Sequence, residues 1–143
     1  MYNAIDVARY IIAYEYLQGR TVSNLRLQRL LYFVQAYCLA SVGKPCFSTR
    51  MEAWDCGPVV PPVYREYRIF GAASIPAASS TSSIVAIEEA DRPMLNEMLN
   101  RCASLSTTEL MRRTHHQNPW KDAYHNPLSN EITPTAVEQY FSS

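Results

Sequence analysis

Glycine is scarce in this chain, four of 143 residues, and no G-x-G-x-x-G or P-loop pattern is built from them, which argues against a phosphate cradle and nucleotide chemistry. Charge is thin as well: 18% of residues are charged, below the roughly 25% of an average globular chain. Thirteen basic residues balance thirteen acidic ones, leaving no broad field to grip DNA or anionic lipid. No apolar run approaches the ~18 residues needed to cross a bilayer. The first residues, among them Asn3, Asp6 and Arg9, lack the basic-then-apolar order of a secretory signal, so a cytoplasmic protein with no membrane partner is expected. The four cysteines, Cys38, Cys46, Cys56 and Cys102, contain no C-x-x-C pair and read as reduced thiols. His115, His116 and His125 give no H-x₃₋₅-H pair, so neither a metal nor another cofactor is expected.

What the chain does have is apolar mass, 48%, enough for one domain over residues 1–143. Ile5, Ala8, Ile12 and Tyr16, with Ile11 beside them, recur at steps of three and four and predict an amphipathic helix over residues 3–18, capped by Asn3 and stopped by Gly19. From Ser23 to Gly43 the chain is apolar on most sides. Leu27, Leu30, Leu31, Val34 and Cys38 form one face, Leu25, Tyr32, Phe33, Ala36 and Leu39 cover much of the other, and Gln28 and Gln35 mark a polar strip. Such a helix is central, and the predicted fold is mainly α: a compact helical bundle around residues 23–42. The prolines and glycine from Gly57 to Pro62 forbid a regular helix there, after which Pro62 opens one lined by Val63, Tyr67 and Phe70. Met51–Asp55 and Ile84, Val85 and Ile87 suggest two short strands, paired as a small ribbon beside the bundle. Residues 72–83, rich in alanine and serine, read as a flexible exposed loop. Further helix starts fall at Asp91, ahead of Leu95, Met98, Leu99 and Cys102, and at Ser106, with Glu109 as a capping box. Two more fall at Asn118-Pro119, bearing Trp120 and Tyr124, and at Thr133-Pro134, with Ile132 and Val137 as a hydrophobic staple.

Cys38 and Cys102 fall on core faces, where thiols are inert; Cys46 and Cys56 lie in less constrained loops. Glu88 and Glu89 adjoin a loop and read as solvated. Arg26 with Arg29, and Arg112 with Arg113, could touch phosphate, although the overall charge is balanced. Ten tyrosines and two tryptophans are a stronger signal, because large amphipathic rings cement a small core or anchor an interface. Trp54 and Trp120 are expected in the core, while Tyr10, Tyr14 and Tyr64, on helix flanks, suit an interface.

Three blocks carry a resemblance: T-V-S-N-L-R-L-Q-R-L-L-Y-F-V-Q-A-Y-C-L-A-S-V-G-K-P from Thr21, then E-A-W-D-C-G-P-V-V-P-P-V-Y-R-E-Y-R, then T-H-H-Q-N-P-W from Thr114 to Trp120. In this order they resemble the Panacea-domain antitoxins, also described as SocA-like or GepA-like phage-associated proteins, and the terminal Ile132, Tyr140 and Phe141 fit the same pattern. The matching motif positions are Leu27, Gln28, Leu30, Leu31 and Tyr32 in the central helix, Trp54, Gly57, Pro58, Val59 and Tyr64 around the turn, and His115, Pro119 and Trp120 near the end. Gly57 and Pro58 read as a tight turn that brings Trp54 against the central helix, with His115 hydrogen-bonding across to it.

The resemblance implies a small, mostly helical antitoxin of a type II toxin–antitoxin pair that binds a cognate protein toxin and holds it inactive, without being an enzyme. Candidate toxin contacts, chosen for residue type and helix flank, are Tyr10, Tyr14, Tyr64, Arg65 and Arg68. One branch of the family looks like a proteolytic adaptor that delivers its toxin to the ClpXP protease. Other roles stay open beside the leading one: such an adaptor, a homo-oligomer, a DNA-binding autoregulator, or an enzyme using His115 with Cys56 or Asp55.

Overall fold

The computed structural model describes residues 1–77 and 84–142. Its organising element is α2, Asn24–Val42, with thirteen of 19 residues buried. Ser23 Oγ accepts from the Arg26 N–H at 3.2 Å, and Gly43 closes the helix in the left-handed region at φ 70°, a conformation that suits a residue without a Cβ. α1, Ala4–Leu17, packs beside it, capped by Asn3, whose side chain accepts from Ile5 N–H. The buried stripe of α1 runs through Ala4, Val7, Ala8, Ile11, Ile12 and Glu15, and the expected stripe ending at Tyr16 is corrected, since Tyr16 is 61% exposed. Glu15 can complete the buried stripe because Arg20 pairs with its carboxylate.

Strands β1, Met51–Trp54, and β2, Gly57–Val59, form an antiparallel hairpin with Trp54 opposite Gly57 and Glu52 opposite Val59. β3, Glu131–Ile132, pairs with the other edge of β1, giving the order β2-β1-β3. The expected two-stranded ribbon is therefore a three-stranded sheet, and the segment at Ile84 does not belong to it. Both edges of β1 are occupied, Ile84 and Val85 are helical, and Ile87 closes a turn back to the Ile84 carbonyl at 3.2 Å. That short apolar run alternates for no sheet: Val85 is 66% exposed and Ile87 is a single buried plug.

After β2 comes α3, Pro61–Tyr67, beginning one residue before the expected Pro62. A 3₁₀ turn, Arg68–Phe70, continues it to Gly71 at φ 56°. Phe70 was expected to line the packed face but is 37% exposed. Of the Ala/Ser-rich stretch, residues 78–83 lie outside the described residues; ahead of them Ile75 is 7% exposed and its N–H bonds the Val22 carbonyl at 2.8 Å. A 3₁₀ turn, Glu89–Asp91, leads into α4, Arg92–Cys102. Asp91 occupies the N-cap position without capping, because its carboxylate accepts the Tyr2 hydroxyl at 2.5 Å. α5, Thr107–His115, is capped by Ser106; the expected box is half made, since Glu109 pairs with Arg112 and Arg113. α6, Asn118–Tyr124, precedes β3, and α7, Pro134–Ser142, follows it. Thr133 Oγ1 caps α7 through the Ala136 N–H at 3.1 Å, and Ile132 and Val137 are buried as a staple requires.

The polar residues of α2 are the main departure from the periodicity argument. Gln28 and Gln35 are 0% and 4% exposed, so the expected polar strip faces protein. Gln35 Oε1 accepts from Cys46 N–H at 2.8 Å and Phe47 N–H at 3.2 Å, while its Nε2 donates to the Phe47 carbonyl at 3.0 Å. Gln28 accepts from Val60 N–H at 2.9 Å and donates to Asn24 at 3.0 Å. Asn24 in turn donates to the Tyr64 carbonyl at 3.1 Å. Each amide pins a distant segment, and full pairing is what makes its burial tolerable.

Candidate functional site

The motif residues converge on the hairpin turn between β1 and β2. Leu27, Leu30 and Leu31 are fully buried in α2, and Gly57, Pro58 and Val59 are buried in β2, just past the turn. Gly57 has φ 116°, and a Cβ placed there would meet Arg29 Cζ at 3.0 Å. Arg29, 0% exposed, donates from Nη1 to the Pro58 carbonyl at 3.1 Å and from Nη2 to the Cys56 carbonyl. It forms no ion pair among the described residues, and its Nε is buried without a partner there. Burial pulls its pKa down, as expected for a cation taken out of water. Arg26 acts similarly on another loop, donating to the Cys102 and Leu105 carbonyls at 3.0 and 2.9 Å, the acceptors that a helix C-terminus leaves open. The expectation that Arg26 and Arg29 reach phosphate is thus corrected: both are engaged inside the fold.

An aromatic girdle surrounds the turn. Trp120 donates its indole N–H to the Trp54 carbonyl at 2.9 Å, and His115 Nε2 lies 3.1 Å from the Asp55 carbonyl. A carbonyl can only accept, so this bond assigns the Nε2–H tautomer. The His115 and Trp120 rings are 4.2 Å apart, and Trp120 stacks on Tyr124 at 4.6 Å. Tyr124 donates its hydroxyl to the Asp55 carboxylate. On the other side Trp54 meets Tyr64 edge-on at 5.1 Å and donates to Glu52 at 3.0 Å. Tyr32 reaches this end of the molecule through Gln117, at 2.7 Å, and Pro119 is buried in the first turn of α6.

Two expectations change here. Trp54 and Trp120 are half-buried, forming a collar at the core's edge. The tight turn expected at Gly57 and Pro58 is instead Asp55–Cys56, with those two residues opening β2. Cys56, Gly57 and Pro58 are what meet α2, whereas Trp54 is directed to Tyr64. The predicted bond from His115 to the turn is present. Burial holds His115 below its ordinary pKa, aided by the neighbouring Arg29 and His116 charges. The turn carbonyl of Asp55 takes His115 and the Asp55 carboxylate takes Tyr124, so this geometry anchors a loop and offers no base bonded to a nucleophile. Among the described residues no group of three or more His, Cys, Asp or Glu side chains is placed to hold a metal ion.

The five candidate contacts divide. Tyr10 is only 2% exposed and bonds Asn96 of α4 at 2.5 Å, so it presents no surface. Tyr14 stacks on it at 6.2 Å and bonds Asn100 at 3.1 Å. Tyr64 is half-buried on α3, with Arg65 and Arg68 exposed beside it. Sequence reasoning missed Ile69, 84% exposed, because its short 3₁₀ turn has no readable face. Among the described residues no helix is long and apolar enough to cross a membrane.

A family model described as antitoxin SocA-like, Panacea domain, matches residues 27–121, from the first turn of α2 into α6, and so takes in the turn and its girdle. Among curated proteins the chain is similar to Antitoxin SocA of Caulobacter vibrioides (strain NA1000 / CB15N), 50% identical over 44 residues, which are 31% of this chain and 23% of that protein. The match therefore spans less than a quarter of that relative's length. No solved structure matches. With the motif residues assembled around one turn and the family pattern running through them, the chain belongs to the SocA-like antitoxin family defined by the Panacea domain.

Proposed function

We propose that this protein is the antitoxin of a type II pair, acting in the cytoplasm by covering a cognate protein toxin with a preformed surface. The observation that carries the reading is the family match over residues 27–121. The architecture supports it: the motif side chains Gln28, Tyr32, His115 and Trp120 are engaged in holding loops, a design suited to binding by shape. An interface of roughly 1,200–2,000 Å² is enough for a stable complex. The proposed contact patch centres on Tyr64, Arg65 and Arg68, with Tyr14 at a second edge; Tyr10 leaves the set because it is buried.

The test is co-expression of this chain with the product of the adjoining reading frame. A product that stops growth alone, and is rescued and co-purified with this chain, supports the reading. Saturable turnover of a metabolite by the purified chain, with no rescue, overturns it.

A further inference from the structure

Cys38, near the end of α2, and Cys46, in the segment after Gly43, line one cleft of about 170 Å³ together with Tyr2, Lys44, Asp91 and Met94. Both thiols are free and nearly covered, 5% and 6% exposed, which corrects the view of Cys46 as a loosely held loop residue. Each thiol acts on the other and the pair is polarised: the Cys38 thiol is held below its ordinary pKa and Cys46 is pushed above. The backbone of Cys46 is fixed from two sides, its N–H by Gln35 Oε1 at 2.8 Å and its carbonyl by the Tyr2 N–H at 2.8 Å. Gln35 lies on the same helix as Cys38, so the clamp on one thiol is built on the element that carries the other.

We propose that Cys38 and Cys46 are a peroxide-reactive dithiol, closing to an intrachain disulfide that staples the end of α2 to the segment after it. The Cys38 sulfur attacks one oxygen of hydrogen peroxide. An S–O bond forms, the O–O bond breaks, and the released hydroxide takes the thiol proton and leaves as water. The Cys46 sulfur then attacks the Cys38 sulfenic acid: the S–S bond forms, the S–O bond breaks, and hydroxyl and proton leave as a second water. Two electrons pass from the sulfurs to the peroxide, and a thiol reductant reverses the change. Cys102 differs in what acts on it: desolvation, with no second thiol among the causes, raises its pKa to about 11. The inference stands independently of the antitoxin reading.

The experiment treats the full-length chain with hydrogen peroxide, alkylates it with iodoacetamide under denaturing conditions and digests it with trypsin. Lys44 precedes Pro45, a bond trypsin does not cut, so both cysteines stay in the peptide from Leu30 to Arg50. The expected product is that peptide without alkyl groups and two hydrogens lighter than its reduced form; dithiothreitol before alkylation restores both groups. In Cys46→Ser the lighter peptide should vanish and dimedone should label Cys38. The proposal is overturned if the wild-type peptide keeps both alkyl groups at a dose that oxidises the more exposed Cys56, a result that needs no variant to fold.

Discussion

The guanidinium of Arg29 lies against Gly57 so closely that a Cβ there would stand 3.0 Å from Cζ and 3.2 Å from Nε. At φ 116° an L side chain is also strained whatever its neighbours. Gly57→Ala should therefore destabilise the protein by about 2–4 kcal/mol, strain and displacement of Arg29 together. Gly19→Ala, at φ 76° with nothing within 4 Å, carries the conformational penalty alone, about 1–2 kcal/mol. Urea midpoints of the two variants check the order.

Replacing Arg29 itself leaves two carbonyls, those of Cys56 and Pro58, without their donor. Arg29→Leu should cost about 2–4 kcal/mol, and Arg29→Lys less, because an ammonium can still reach one of the two. If the leucine variant unfolds at the wild-type urea concentration, Arg29 does not hold the turn.

His115 links stability to pH. Its pKa is depressed in the fold, first by burial, so the unfolded chain binds the proton more readily. The contribution is complete above the unfolded value of about 6.5 and is lost as pH falls through the lower folded value. Chemical denaturation at a series of pH values should show wild-type stability dropping below pH ~6.5 more steeply than that of His115→Gln. Parallel curves would remove His115 from the titration.

Trp120→Phe keeps most of the ring and deletes the donor to the Trp54 carbonyl. A loss of about 1 kcal/mol is expected, with Trp54 fluorescence reporting a looser collar around the turn.

In the growth assay, Tyr64→Ala combined with Arg65→Glu and Arg68→Glu should abolish rescue while thermal unfolding stays within a few degrees of wild type. Tyr10→Phe should do the reverse, because its hydroxyl serves Asn96 inside the fold. Full rescue by the triple variant would move the contact surface elsewhere.

The local signals were legible because their partners are a few residues away. Asn3, Ser23, Ser106 and Thr133 all cap the helices that they precede, and the Pro-rich stretch marks the turn before α3. Gln28, Arg29 and Gln35 were misread because their partners, Val60, Cys56, Pro58, Cys46 and Phe47, lie 11 to 32 positions along the chain, beyond any periodicity. β3 was missed because it has two residues, too few to alternate. At the site, the H-x-x-x-P-W block pointed to the turn, and the His115 bond was anticipated. The girdle around it depends on α6 folding back against β1, which no spacing announces.

Asn24, Arg26, Gln28, Arg29 and Gln35 reach out chiefly to amides and carbonyls of the surrounding segments. Every residue type supplies a carbonyl and all but proline supply an amide, so these anchors place few demands on the outer side chains. The exterior can accordingly be re-lettered position by position while its path stays put.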